Sequence, residues 1–451
     1  MLQTALQLLA SYYLLQGADN FQNLGASDLP TIPDTWFGPG EARADNESIV
    51  PFEVDISSDI LADLQNRLLN AVPLQPPLEG AKQWYGLNTN VLQDVVDYWS
   101  TQYNFSSRQE FFNQYPHYKT EIQGLNIHFV HVKPVNPDGL KVLPILLAHG
   151  WPGSFVEFYE IIPILTTPQE GRDFVFEVIV PSLPGFVFSD GAVRPGLGIP
   201  QVAQIFKKLM ERIGFEKFYL QGGDVGSQVV QNLATLFPDS VIGVHSNLFL
   251  PTTPLAIIKL GVGAIFPHLL LSDLEIQYNY PLSKTLLSLL GETGFMHIQF
   301  TKPDTIGAAL RDTPVGLAAY FLEKFSTATN KNYRDLDDAG LTEKFTYDQL
   351  LDDITLHWVT RSETTAFRIY KELLSSDDLA LNLAGIPTDV PAGVSRFPYE
   401  LTYPPKTILK DKFRNLVYLK DHEDGGHFAA LEVPEVFATD LYEFAEAVEA
   451  F

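Results

Sequence analysis

The sequence predicts an α/β fold: a parallel sheet covered by helices and split by a helical insertion. Three observations predict it. Residues 142–250 alternate apolar strand-like runs with helical ones, the pattern of a sheet with helices on both faces. Residues 251–385 read as helical and rich in aromatics, with few strand signals. Leu416 to Lys420 then resumes as a strand, and Glu435 to Val448 closes the chain as an amphipathic helix. An insertion splitting such a core belongs as a cap over the C-terminal edge of the sheet, where α/β folds place ligands.

In chain order, Pro and Gly punctuate at Pro30 to Pro33, Phe37 to Gly40, Pro134 to Gly139 and Ile386 to Gly393. Helical periodicity marks Ile60 to Leu69 and Val91 to Tyr103, and Leu125 to Val132 is strand-like. Leu143 to Ala148, Phe174 to Val180, Phe218 to Gln221 and Val241 to Val244 supply the core strands. No internal repeat or low-complexity segment interrupts this order.

Composition narrows the function. With 451 residues the chain can bury a large core and is longer than one average domain. An apolar content of 45% and a charged content of 19% are those of a globular protein. The net charge of −25 argues against nucleic acid and against charge-driven binding to anionic membranes. The absence of Cys excludes disulfides, a thiol nucleophile and a thiolate metal site.

Residues 5–16 form an apolar run, shorter than the ~20 residues a span requires. It has the length of a signal sequence but no basic flank, since the first Lys or Arg is Arg43. Asn46-Glu-Ser48 and Asn104-Phe-Ser106 are glycan acceptor triplets. These features favour the secretory pathway, either at the endoplasmic reticulum or secreted. The alternative is an ordinary amphipathic helix with unused sequons.

Gly222-Gly223-Asp224-Val225-Gly226 carries the chemistry. It follows a strand-like run and opens a helix-like one, the setting of a nucleophile elbow. Small flanking residues suit the close packing of such a turn. The centre is aspartate, and a carboxylate attacking carbon leaves an ester on the enzyme that water must hydrolyse. An epoxide or alkyl halide is the matching electrophile. The plainer reading of Asp224 is a helix N-cap.

Two companions weigh against the plain reading. His149-Gly150-Trp151-Pro152-Gly153-Ser154 follows a strand, so the Trp151 and Val225 N–H groups can form an oxyanion hole. His149 and Pro152 lie in that loop, His149 shaping it by hydrogen bonding. Gly425-Gly426-His427 follows the last strand and supplies an imidazole to deprotonate water. His245, His268, His297, His357 and His422 have no such surroundings. An acid must orient His427, and chain order places it after Asp224. Asp389, Glu400 and Asp421 all qualify on the residues alone.

With these motifs in view, the chain resembles the microsomal-type epoxide hydrolases, including the insect juvenile-hormone branch. The resemblance runs from Trp36-Phe-Gly-Pro-Gly40 to the C-terminus and includes Tyr115 to Ile122, His149 to Pro163, Gln221 to Ser227, Met296 to Gln299 and Pro314 to Thr327. It implies an α/β-hydrolase core with a helical cap and an N-terminal epoxide-hydrolase extension. The implied division is a variable apolar segment at 1–35, the N-terminal domain at 36–141, core at 142–250, lid at 251–385 and core again at 386–451. It also implies Glu400, in Phe397-Pro-Tyr-Glu400, as the acid, and Tyr370 as a lid tyrosine that protonates the epoxide oxygen. The family's second lid tyrosine falls at Phe295 in Gly294-Phe-Met-His-Ile-Gln299, which has no hydroxyl. Val225 stands where mammalian members have Trp.

The expected activity is hydrolysis of a lipophilic epoxide to a diol through an Asp224 ester, slowed by Phe295. It calls for no metal or cofactor. The expected partner is a lipophilic small-molecule epoxide; membrane association through the N-terminal run and a homodimer are left open. A haloalkane dehalogenase would want a Trp after Asp224. A non-catalytic carrier of hydrophobic ligands would have no need of Asp224, Glu400 and His427 together.

Overall fold

The computed structural model describes residues 29–450. The 5–16 run, and most of the 1–35 segment, lie outside the described residues. Nine strands build one sheet: β1 Val50–Phe52, β2 His117–Ile122, β3 Leu125–Val132, β4 Lys141–Ala148, β5 Phe174–Pro181, β6 Phe218–Gly222, β7 Val241–Ser246, β8 Ala392–Arg396 and β9 Leu416–Asp421. Their spatial order is β1-β2-β3-β5-β4-β6-β7-β8-β9. From β5 to β9 every pairing is parallel, while β1, β2, β3 and the β3–β5 contact are antiparallel.

The central strands are apolar because helices cover both of their faces, so alternation disappears. Every residue of β6 is buried, as are seven of the eight in β5. Towards the sheet's antiparallel flank, β2 and β3 join through the two residues Gln123 and Gly124. Both have positive φ, 53° and 78°, as a type I′ hairpin turn demands. The last helix, Pro434–Glu449, packs across the sheet and buries Phe437, Leu441 and Phe444.

β8 departs from the sequence expectation, which read Ile386 to Gly393 as Pro/Gly punctuation. Its residues look weak for a strand because the last helix presses onto them. A Cβ on Gly393 would lie 2.5 Å from Phe444 Cδ2, so the position needs glycine for close approach rather than for a turn. β2 was equally faint, since His117-Tyr-Lys-Thr-Glu carries polar side chains into its flank of the sheet.

Among the described residues no strand falls between β7 and β8, and the intervening chain is helical. Three of these helices matter for the site: Gly294–Thr301, Pro314–Thr329 and Glu363–Leu373. They lie over the C-terminal ends of the parallel strands.

Candidate active site

The site follows from strand order. β4 pairs with β6, with Ala148 opposite Gly222, so the loops leaving these two strands emerge side by side. One carries Trp151 and the other Asp224. Further along, Asn247 follows β7, Glu400 follows β8 and His427 follows β9. Five adjacent parallel strands thus deliver one side chain or backbone donor each to the same edge.

Asp224 is the first residue of its helix (Asp224–Leu236), and the N-cap is Gly223. The capping alternative therefore fails. Asp224 has φ 47°, a left-handed conformation that costs a non-glycine residue of order 1–3 kcal/mol. The sharp turn requires contact between backbones. A Cβ on Gly226 would sit 2.1 Å from the Ala148 carbonyl oxygen.

Around the carboxylate, Trp151 N–H donates to Asp224 Oδ1 at 2.9 Å, and the Val225 N–H also bonds the carboxylate. His427 Nε2 lies 3.3 Å from Asp224 Oδ2. The Tyr370 hydroxyl lies 3.4 Å from Oδ1. Burial alone would raise the Asp224 pKa, but His427 and the two N–H groups outweigh it and hold the carboxyl below its usual value.

His427 Nδ1 is 2.6 Å from Glu400 Oε1. Burial opposes charge on this imidazole, yet Glu400 and Asp224 dominate and raise it well above the ordinary histidine value. Asp421 instead forms an ion pair with Arg396, and Asp389 faces Arg414 on the surface. Of the three acids that sequence left open, Glu400 alone reaches His427. Burial, then the Asp224 charge, push the Tyr370 hydroxyl well above the usual phenol range, so it stays protonated.

His149 shapes the loop as its position predicted. Leu183 N–H donates to Nε2 at 3.1 Å, leaving Nδ1–H for the Gly150 carbonyl at 3.0 Å. Burial lowers its pKa to about 4 and keeps the ring neutral. The Trp151–Pro152 peptide is cis, and Pro152 is buried.

The pocket wall is aromatic. Phe295 stacks on Trp151 with centroids 5.0 Å apart and meets Tyr370 edge-on at 6.2 Å. Tyr320, Phe321 and Phe367 also pack on Trp151. Such pairs are each worth about 0.5–1.5 kcal/mol beyond the area they bury, which fixes the lid against the loop.

Comparison with known proteins decides the lineage. The family "Epoxide hydrolase N terminus" matches residues 49–158, and "alpha/beta hydrolase fold" matches residues 144–281. Juvenile hormone epoxide hydrolase 2 of Ctenocephalides felis is 49% identical over 92% of this chain and 89% of its own length. The chain belongs to the microsomal-type epoxide hydrolase family. Epoxide hydrolase 1 of Sus scrofa is 44% identical over 93% of each chain. The crystal structure of juvenile hormone epoxide hydrolase from Bombyx mori superposes with a TM-score of 0.91 at 47% identity, covering 92% of this chain and 99% of that one.

The protein is thus an epoxide hydrolase, which removes the carrier and dehalogenase alternatives. The structure also shows parts of the hydrolase that sequence reasoning missed. Asn247 Nδ2 donates to Glu400 Oε2 at 2.9 Å and to the His427 carbonyl at 3.2 Å. Its place just after a core strand was the available signal. Tyr320 accepts from Gln299 Nε2 at 3.3 Å. It belongs to the helix Pro314–Thr329, in the aromatic-rich insertion, where no motif singles it out.

Proposed function

We propose that this hydrolase opens a lipophilic epoxide, of the juvenile-hormone type, by two steps through Asp224. In the first, an Asp224 carboxylate oxygen attacks an epoxide carbon. The carbon–oxygen bond breaks, and Tyr370 gives its proton to the leaving oxygen, forming a hydroxyalkyl ester. In the second, His427 removes a proton from water, which attacks Asp224 Cγ. The Trp151 and Val225 N–H groups stabilise the resulting oxyanion. Collapse releases the diol and restores the carboxylate, and the proton on His427 returns to the Tyr370 phenolate.

The observation that carries this reading is the position of Asp224 between one imidazole and two N–H donors, in a conformation that only the elbow requires. The aromatic wall supports an apolar substrate, as do relatives whose names specify juvenile hormone. Phe295, lacking a hydroxyl, leaves Tyr370 as the proton donor directly at Asp224, so ring opening is the slower step. The apolar 5–16 run and the exposed Asn46 and Asn104 support passage through the secretory pathway. An endoglycosidase mass shift on cell-made protein checks that placement; no shift at either site counts against it.

A single turnover in ¹⁸O-water tests the mechanism. Because the diol takes its new oxygen from Asp224, the first diol carries none of the label, and Asp224 itself becomes labelled. Labelled diol from the first turnover would mean direct attack of water and would reject the ester route.

A further inference from the structure

We propose that the Glu157 carboxyl, folded back over Gly153, accepts a hydrogen bond from the hydrolytic water and holds it for His427 to deprotonate. The inference rests on the two-step reading of Asp224. A water attacking Asp224 Cγ carries two protons. His427 Nε2 takes one, and an acceptor for the other fixes where the attacking lone pair points. The groups already assigned have other work. Trp151 and Val225 present N–H donors, Tyr370 serves ring opening, and Glu400 is held by His427 and Asn247.

The loop after β4 lies between two carboxyl groups. A Cβ on Gly150 would lie 2.4 Å from Asp224 Oδ1, and one on Gly153 would lie 2.5 Å from Glu157 Oε2. Glu157 sits on the tight helical turn Phe155–Phe158, which Ser154 starts by accepting from the Val156 N–H. That turn packs against Ala429–Glu432, the short helix entered directly after His427 and Phe428. Glu157 is therefore fixed from both the oxyanion loop and the histidine loop.

The carboxyl is buried, yet among the described residues no protein group hydrogen-bonds it. Buried polar groups are ordinarily satisfied, by protein or by water. Burial, then the Asp353 charge, push its pKa up to about 8, and the other charges that reach it are those of His427, Asp224 and Glu400. A neutral acid suits the task, because an ionised one would favour the imidazolium and blunt the base. Glu432, the other buried acid whose pKa His427 and Glu400 affect, is already spent: its Oε1 accepts from the Phe428 N–H at 2.8 Å.

In the assisted step one water proton goes to His427 Nε2 as the water oxygen bonds Cγ. The other stays on that oxygen, hydrogen-bonded to Glu157, and passes to the diol oxygen when the ester carbon–oxygen bond breaks. Glu157 itself gains and loses no proton.

Rapid-quench intact-mass measurement on the full chain, with a small aryl epoxide, follows ester formation and ester decay separately. Glu157→Leu should slow ester decay by about 10²-fold and leave ester formation unchanged. Glu157→Gln retains a carbonyl acceptor and should keep most of the decay rate, which a merely structural role for the charge or volume would not predict. Gly153→Ala is an independent arm, since its Cβ would meet only the free end of the Glu157 side chain. It should slow decay as Glu157→Leu does, and it decides the matter if Glu157→Leu does not fold. Ester decay at the wild-type rate in Glu157→Leu or Gly153→Ala overturns the proposal, as does a Glu157→Gln as slow as Glu157→Leu. Equal slowing of both steps would make the turn a packing element and also overturn it. An ester that forms in no protein, wild type included, is a different failure: it rejects the two-step route and the water site with it.

Discussion

Glu400 Oε1 sits 2.6 Å from His427 Nδ1, and both side chains are buried. The opposite ring nitrogen faces Asp224, so two carboxylates hold one imidazole and favour its charged form. In the proposed mechanism, ester formation removes one of those negative charges. The histidine pKa then falls at the moment a base is needed, which couples the two half-reactions through charge alone.

Replacing Glu400 with Gln should separate the two steps. An amide cannot satisfy all its neighbours: its NH₂ must meet either the Asn247 amide or the His427 Nδ1–H. Attack by Asp224 survives, but base strength and ring orientation are lost, costing hydrolysis of the ester about 10²–10⁴-fold. Intact-mass analysis during turnover should show protein carrying one added substrate mass. A variant that slows diol release without accumulating that adduct would contradict the assignment of Glu400 to the second step.

The same charges set the pH response. Asp224 has a lowered pKa, so it remains ionised and ester formation stays level from about pH 5 upward. In the ester only Glu400 still favours the His427 imidazolium, and the ring works as a base only when neutral, so ester hydrolysis should rise with pH until the imidazole is deprotonated. Stopped-flow measurement of each step separates them; parallel pH profiles would exclude this division of labour.

Gly150 tests the packing of the elbow against its neighbouring loop. A Cβ there would lie 2.3 Å from Asp224 Cβ and 2.4 Å from Oδ1. Gly150→Ala should therefore displace the nucleophile and lower kcat by about 10²-fold. Binding of an epoxide-derived amide, followed by calorimetry, should change far less. Full activity in Gly150→Ala would show that the loop gives way instead.

Much of this arrangement was legible in the chain. Strand β3 was placed residue for residue, and β4 to β7 within a few residues, because buried parallel strands are written as unbroken apolar runs. Asp224, Trp151 and His427 stood out because each sits on a glycine-supported turn. What stayed hidden depended on tertiary neighbours. β8 is concealed by the close approach of Phe444 to Gly393. Asn247 has no motif, since its value lies in bonds to residues more than a hundred positions away.

Asp353 offers a stability test away from the catalytic contacts. Burial raises its carboxyl to about 8, so it is neutral in the folded chain at pH 7 and ionised when unfolded. A group with a raised folded pKa contributes most below its unfolded value, near 4, and loses that contribution as pH climbs towards 8. Each unit of difference corresponds to about 1.36 kcal/mol, so the buried acid lowers stability at pH 8 by on the order of a few kcal/mol. Asp353→Asn should raise the Tm at pH 8 more than at pH 5. Equal shifts at both values would mean that the carboxyl ionises in the folded state.

Phe295 offers a test of whether a second lid hydroxyl speeds ring opening. Its ring lies flat on Trp151 and edge-on to Tyr370, and Lys324 Nζ stands 4.8 Å from its centroid. A tyrosine at this place keeps the stacking and the cation contact and adds a hydroxyl in the wall shared with Tyr370. General-acid assistance is typically worth about 10²–10⁴-fold, and Tyr370 already supplies part of it. Phe295→Tyr should therefore raise the single-turnover rate of ester formation by about tenfold, leaving ester hydrolysis unchanged because His427 and Glu400 are untouched. Tyr370→Phe should lower ester formation in either background, but less where residue 295 carries the new hydroxyl. If Phe295→Tyr leaves ester formation unaltered, the added hydroxyl does not reach the epoxide oxygen and Tyr370 is the sole acid.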